Sequence, residues 1–144
     1  MDPRIARQRL IRHGLTLFVL GLATGFAVPA MRNMRAGLAA HLEGVMNGTF
    51  LIALAMAWSA VRLGPRAARV ACALVLYGTW ANWASTTASA IFGTNKGTPL
   101  AGAGHSASPL LENLVFAGLV SVGLTMLVGC AMLAWGAWRA QPEA

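Results

Sequence analysis

Four stretches without a charged residue constrain this chain more than anything else in it: 13–31 between Arg12 and Arg32, 44–61 between Glu43 and Arg62, 70–95 between Arg69 and Lys96, and 113–138 between Glu112 and Arg139. As helix, at about 1.5 Å per residue, each is long enough to cross a hydrocarbon layer of about 30 Å. No strand reading competes. A chain of 144 residues with 57% hydrophobic and 10% charged side chains also does not fit a water-covered surface. The expectation is an all-α integral membrane protein, a single domain over 1–144, with a bundle of four transmembrane helices at about 13–31, 43–61, 70–92 and 109–138.

The net charge of +7 is explained by the membrane and does not require nucleic acid as a partner. The basic residues have no interleaved aromatic platform on which bases could stack. Arg4, Arg7, Arg9, Arg12, Arg62, Arg66, Arg69 and Arg139 fall on one side of the predicted spans, and Arg32, Arg35 and Lys96 on the other. Basic residues concentrate on the cytoplasmic side, so both termini are expected there, in a cell inner membrane. Val28-Pro29-Ala30 looks like a signal-peptidase site after a basic start and an apolar stretch. The expectation is nonetheless a retained first span.

Cys72 and Cys130 lie inside apolar runs, with neither a disulfide framework nor a Cys-x-x-Cys pattern around them, and read as packing or lipid-facing residues. Gly14, Gly21 and Gly25 set small residues on one face of the first helix, which lets another backbone come close, within the subunit or between subunits. No internal repeat indicates a duplicated transporter.

The chemistry concentrates in 40–48, Ala-His-Leu-Glu-Gly-Val-Met-Asn-Gly. With Met31 to Ala40 read as an outer loop, Glu43 sits in the first turn of helix two, where an acid is favoured by the helix dipole. A functional role is equally open. Asn47 lies one turn further on the same face, and a polar amide inside an apolar run needs a partner. Helix three supplies a second one, Asn82, within Tyr77-Gly78-Thr79-Trp80-Ala81-Asn82-Trp83. Asn47 falls roughly 9 Å below His41 and Asn82 roughly 20 Å from Arg69, so the two amides reach nearly the same depth. They either hydrogen-bond each other or line a small polar pocket with Tyr77 and Thr86.

The loop from Phe92 to Ser108 is rich in Gly, Thr and Ser and contains His105, and Ser108-Pro109 reads as the cap and first residue of helix four, with Glu112 in its first turn. His41, Glu43, His105, Glu112, Arg32 and Arg35 can therefore meet at one end of the bundle. Such a set suits a metal ion, or an iron porphyrin whose propionates meet the arginines; spacing alone does not choose. His105 is equally a ligand toward a neighbouring subunit, a capping group or a solvated residue. His13, beside the basic N-terminal segment, reads as an interfacial residue.

Taken together, His13-Gly14, Ala40-His41 followed by Asn47-Gly48, Tyr77-Gly78-x-Trp80-Ala81-Asn82 and Gly104-His105 resemble the hydroxylaminobenzene mutases, which are similar to the styrene oxide isomerases. The resemblance runs from about Arg9 to Trp138. It implies a four-helix membrane protein that forms a homotrimer and binds haem b between subunits through a histidine, the iron acting as a Lewis acid. The haem-ligating histidine falls on His41, and an asparagine of the family falls on Asn47. Where the epoxide isomerases carry an aspartate before Gly-Trp-Ala-Asn, this chain has Tyr77 and the extra Thr79; their active-site tyrosine falls at about Thr86. The mutases are therefore the better match.

The activity so implied is the conversion of an aryl hydroxylamine to a 2-aminophenol with no net redox change. In that reading His41 holds the haem iron and Arg32 and Arg35 meet the propionates. Asn47, Tyr77 and Asn82 orient a small aromatic substrate, Trp80 and Trp83 pack on its ring, and Glu43 carries a proton. Two other classes stay open, an epoxide isomerase of the styrene oxide type and a small transporter or accessory membrane subunit. A substrate panel separates the first, and the lack of a charge at the middle of any span weighs against the second.

Overall fold

A computed structural model describes residues 2–139 as four helices: α1 (Pro3–Ala27), α2 (Met34–Ala57), α3 (Pro65–Phe92) and α4 (Pro109–Trp138). Short turns of 3-10 helix, Val28–Ala30 and Trp58–Ala60, extend α1 and α2. No strand occurs among the described residues. Three of the helical stretches are long and apolar enough to cross a membrane, Pro3–Ala30, Met34–Ala60 and Pro109–Trp138. The fourth, α3, has 28 residues. Tyr77, Thr79, Asn82, Ser85, Thr86, Thr87 and Ser89 dilute its apolar character.

Local chemistry sets the helix ends. Proline opens α1, α3 and α4, where its missing N–H leaves no bond unmade. The Ser108 side chain accepts from the Leu111 N–H, so α4 starts where the Ser108-Pro109 pair predicts. Gly93 closes α3 in the left-handed region (φ 69°), and the N–H groups of Gly93 and Thr94 both turn back to the Ser89 carbonyl.

The start of α2 departs from expectation. Residues 34–40 are helix, not outer loop, and the connection from α1 is short. The Asn33 side chain caps the helix, accepting from the Ala36 N–H at 3.2 Å. Arg35 sits inside the first turn and makes a charge-based boundary fall too late. Glu43 is consequently the tenth residue of α2, about 14 Å along its axis, and out of range of the dipole effect of the first turn.

Helix α1 packs on α2, α2 on α3, and α3 on α4. A seam of glycines draws the first pair together. A Cβ on Gly48 would lie 2.6 Å from the Phe18 nitrogen, and one on Gly21 would lie 2.5 Å from the Val45 nitrogen. The stripe Gly14, Gly21, Gly25 is thus used inside the subunit, against Gly48, Gly44 and His41. Leu10, Leu51, Trp58, Ala71, Val75 and Leu133 form an apolar core toward one end of the bundle. Glu43 and Asn47 lie on the N-terminal side of Leu51 along α2, and Asn82 beyond Val75 along α3.

Candidate functional site

His41 lies half-buried against α1. Its Nδ1 meets the Gly21 carbonyl at 2.8 Å. A carbonyl only accepts, so Nδ1 carries the hydrogen, and in the neutral ring Nε2 keeps its lone pair. No donor or acceptor of the described residues engages Nε2. The ring can lie there because α1 has no side chain at Gly25, where a Cβ would sit 2.8 Å from Nδ1. His41 forms part of the wall of a cleft of about 500 Å³, with Leu22, Gly25, Phe26, Val28, Pro29 and Leu38 as the rest of its lining. All but the histidine are apolar or glycine.

On the α3 side of the same helix, Glu43 gathers both amides. Its Oε2 accepts from Asn47 Nδ2 at 3.2 Å and, through a short bond, from Asn82 Nδ2. The two asparagines do meet at one level, as their depths predict, but through a carboxylate and not with each other. Asn47 is buried, and Glu43 and Asn82 are partly so. Neither amide's partner is a cation; the acid is held by neutral donors in apolar surroundings.

Aromatic residues close the α1–α3 side. Trp83 donates its indole N–H to the Thr24 hydroxyl at 3.1 Å and stands edge-on to Trp80, whose ring also meets His13 edge-on. His13, expected as an interfacial residue, is thus a ring contact for α3. Tyr77 is not brought to this set. It faces α4, half exposed, with its hydroxyl 2.8 Å from Ser121 Oγ. The Thr86 hydroxyl bonds back to the Asn82 carbonyl of its own helix.

Arg32, Arg35, His105 and Glu112 lie at the end of the bundle that carries the α1–α2 and α3–α4 connections, as a latch on the 93–108 loop. Arg32 donates to the Phe92 carbonyl and Arg35 to that of Ala103. His105 Nε2 donates to the Arg32 carbonyl at 3.0 Å. The Glu112 carboxylate accepts the N–H groups of Asn95, Lys96 and Ala107. Among the described residues no three of His, Cys, Asp and Glu come close enough to hold a metal ion. The convergence of His41, Glu43, His105 and Glu112 on one ion is therefore not what the fold builds. Those four residues are dispersed over three places: His41 at the α1 cleft, Glu43 at the α2–α3 contact, and His105 and Glu112 in the latch on the 93–108 loop.

Several residues of this arrangement carry only faint signals in the sequence. Gly44-x-x-x-Gly48 mirrors the glycines of α1 and is visible as a spacing. Thr24 and Asn33 are not marked by any spacing. Asn33 is 1% exposed and donates to the Ala101 carbonyl, 68 positions away.

A family model for styrene oxide isomerase matches residues 6–138 of the chain. A hydroxylaminobenzene mutase of Ectopseudomonas oleovorans, HabB, is 44% identical over 136 residues, which are 94% of this chain and 82% of that protein. A second mutase of the same organism, HabA, is 39% identical over 132 residues, 90% of this chain and 97% of its own length. No solved structure matches.

Proposed function

This chain belongs to the styrene oxide isomerase family, and on that premise we propose that it is a membrane-bound mutase converting aryl hydroxylamines such as hydroxylaminobenzene to 2-aminophenols. It is an isomerase. The observation that carries the choice of substrate is Glu43, a carboxylate fixed by Asn47 and Asn82 inside an apolar bundle.

The reaction is internally balanced. The N–O bond breaks, a C–O bond forms at the ortho carbon, the proton on that carbon leaves, and a proton returns to nitrogen. As the N–O bond lengthens, positive charge spreads into the ring, and a carboxylate in a low-dielectric site stabilises it. Glu43 Oε1 has no partner among the described residues, so it is the atom available to take the ortho proton. Asn47 and Asn82 hold the carboxylate in place, and Trp80 and Trp83 offer ring surfaces nearby. Apolar surroundings keep bulk water from capturing the cation.

Haem b is part of the same proposal, and the residues around His41 fit it. Nε2 would hold the iron, the bond from Nδ1 to the Gly21 carbonyl fixes the tautomer a metal needs, and the cleft walls suit a macrocycle. Arg32 and Arg35 each keep guanidinium donors beyond the one carbonyl they serve, as partners for propionates. When bound, the iron supplies Lewis acidity toward the hydroxyl oxygen. His41 and Glu43 face different sides of α2, which supports a homotrimer in which one subunit's cleft meets the carboxylate side of the next. The proposed setting is an inner membrane crossed four times, with both termini cytoplasmic.

The test is an absorption spectrum of the detergent-purified protein beside His41→Ala, with phenylhydroxylamine turnover followed in the same samples. The expected result is a porphyrin Soret band and 2-aminophenol formation that both disappear in the variant. Turnover that survives in His41→Ala removes the iron from the mechanism, and a wild type without turnover sinks the mutase reading.

A further inference from the structure

Resting on the reading that Asn47 and Asn82 face the substrate, we propose that Glu43 also determines specificity as a positioning residue. By taking an amide N–H from each asparagine, it leaves their carbonyl oxygens to the substrate. The site then favours molecules that donate hydrogen bonds, such as aryl hydroxylamines and anilines. It disfavours molecules of the same size that only accept, such as epoxides and carbonyls.

The orientation of the two amides follows from their partner. An asparagine can present either end, and in both cases it is the amide NH2 that donates to Glu43 Oε2. Asn47 Oδ1, Asn82 Oδ1 and Glu43 Oε1 receive no bond from the described residues. The side-chain polar atoms that are both buried and unpartnered are Trp80 Nε1 and Thr87 Oγ1 among the described residues. The three free oxygens are not in that group, so each keeps some accessible surface, although Asn47 is only 9% exposed. The Trp83 indole N–H is already given to the Thr24 hydroxyl, whereas that of Trp80 is free. Around Glu43 itself the free polar atoms are three acceptors, with the Trp80 indole N–H the free donor on the neighbouring ring.

A ligand with N–H or O–H groups satisfies these oxygens. One without donors leaves them stripped of water and unpaired, and sites built around such groups reject the deficient analogue strongly. In Glu43→Gln the new side chain has its own NH2, which can bind an asparagine oxygen. That frees the amides to turn and present N–H to the ligand.

Two unreactive probes of similar size separate the cases: benzyl alcohol, which donates, and benzaldehyde, which only accepts. Dissociation constants are measured by titration calorimetry on the detergent-purified full chain for wild type, Glu43→Gln and Asn82→Leu. Thermal unfolding is followed alongside as a check of folding. The expected wild-type preference for the alcohol is about tenfold, the size of one well-made buried hydrogen bond. Glu43→Gln brings the ratio to about one or inverts it. Asn82→Leu, which removes one acceptor and keeps the carboxylate, gives an intermediate ratio. No preference in the wild type, or one that Glu43→Gln leaves unchanged, overturns the proposal. Because the probes do not react, a wild type that keeps the preference but fails to turn over phenylhydroxylamine sinks the mutase reading alone.

Discussion

A single methyl group on Gly25 would strike the His41 ring, and the consequence is testable without assuming what the histidine binds. In Gly25→Ala the ring has to leave the Gly21 carbonyl, so its tautomer is no longer imposed. Turnover is expected to fall by at least about tenfold, with stability lowered by roughly 1–3 kcal/mol, the range for overpacking a close contact. Steady-state kinetics and thermal melts read the two separately. Gly21→Ala should be worse, because its Cβ meets the backbone of Gly44 and Val45, which cannot swing aside. At this scale the sequence was informative about His41, Asn47 and Asn82, since each is a polar group inside an apolar run. For Glu43 it leaves the helix dipole and a functional role equally open. An acid near a presumed helix start has a sufficient explanation in the dipole, and only the true start of α2 removes that explanation.

Among the elements, the loop of 93–108 shows why some boundaries can be read and others cannot. The start of α4 is encoded by adjacent residues, Ser108 and Pro109, and reads directly. The start of α2 depends on Asn33, whose cap is completed by bonds to Ala101 and Ala90 from distant parts of the chain. Asn33→Ala removes the cap and strands the Ala101 carbonyl, at a cost of about 2–4 kcal/mol when the two losses are combined. The expected signs are a lower melting temperature and faster proteolysis within 96–104. A loop as resistant as in the wild type would show that the bonds of Arg35, Asn95, His105 and Glu112 hold it without Asn33. Lack of charge marks α3 as a span, yet its polar face is what ties it to Glu43. The polarity that weakens it as a membrane span is the polarity that builds the site.

For the whole molecule, the division of α2 into a histidine side and a carboxylate side makes a prediction about assemblies. If neighbouring subunits complete one site, co-expressed His41→Ala and Asn82→Leu chains will form mixed assemblies that recover activity lacking in either variant alone. Recovery is absent if each subunit works by itself, and co-purification through two different tags measures it. The sequence carried the number of helices and the amides' shared depth, because both follow from counting residues along an axis. It did not carry which faces meet, since that depends on side chains brought together from four helices. The close seam between α1 and α2 also imposes an order in time. His41, its Gly21 partner and Gly25 all belong to the first hairpin, so the imidazole can be set before α3 exists. Asn82 follows Glu43 by 39 positions, about two to eight seconds of synthesis at ~5–20 residues per second. During that interval the nascent acid has only Asn47 for company, and the arrival of α3 is what makes its place in the membrane secure.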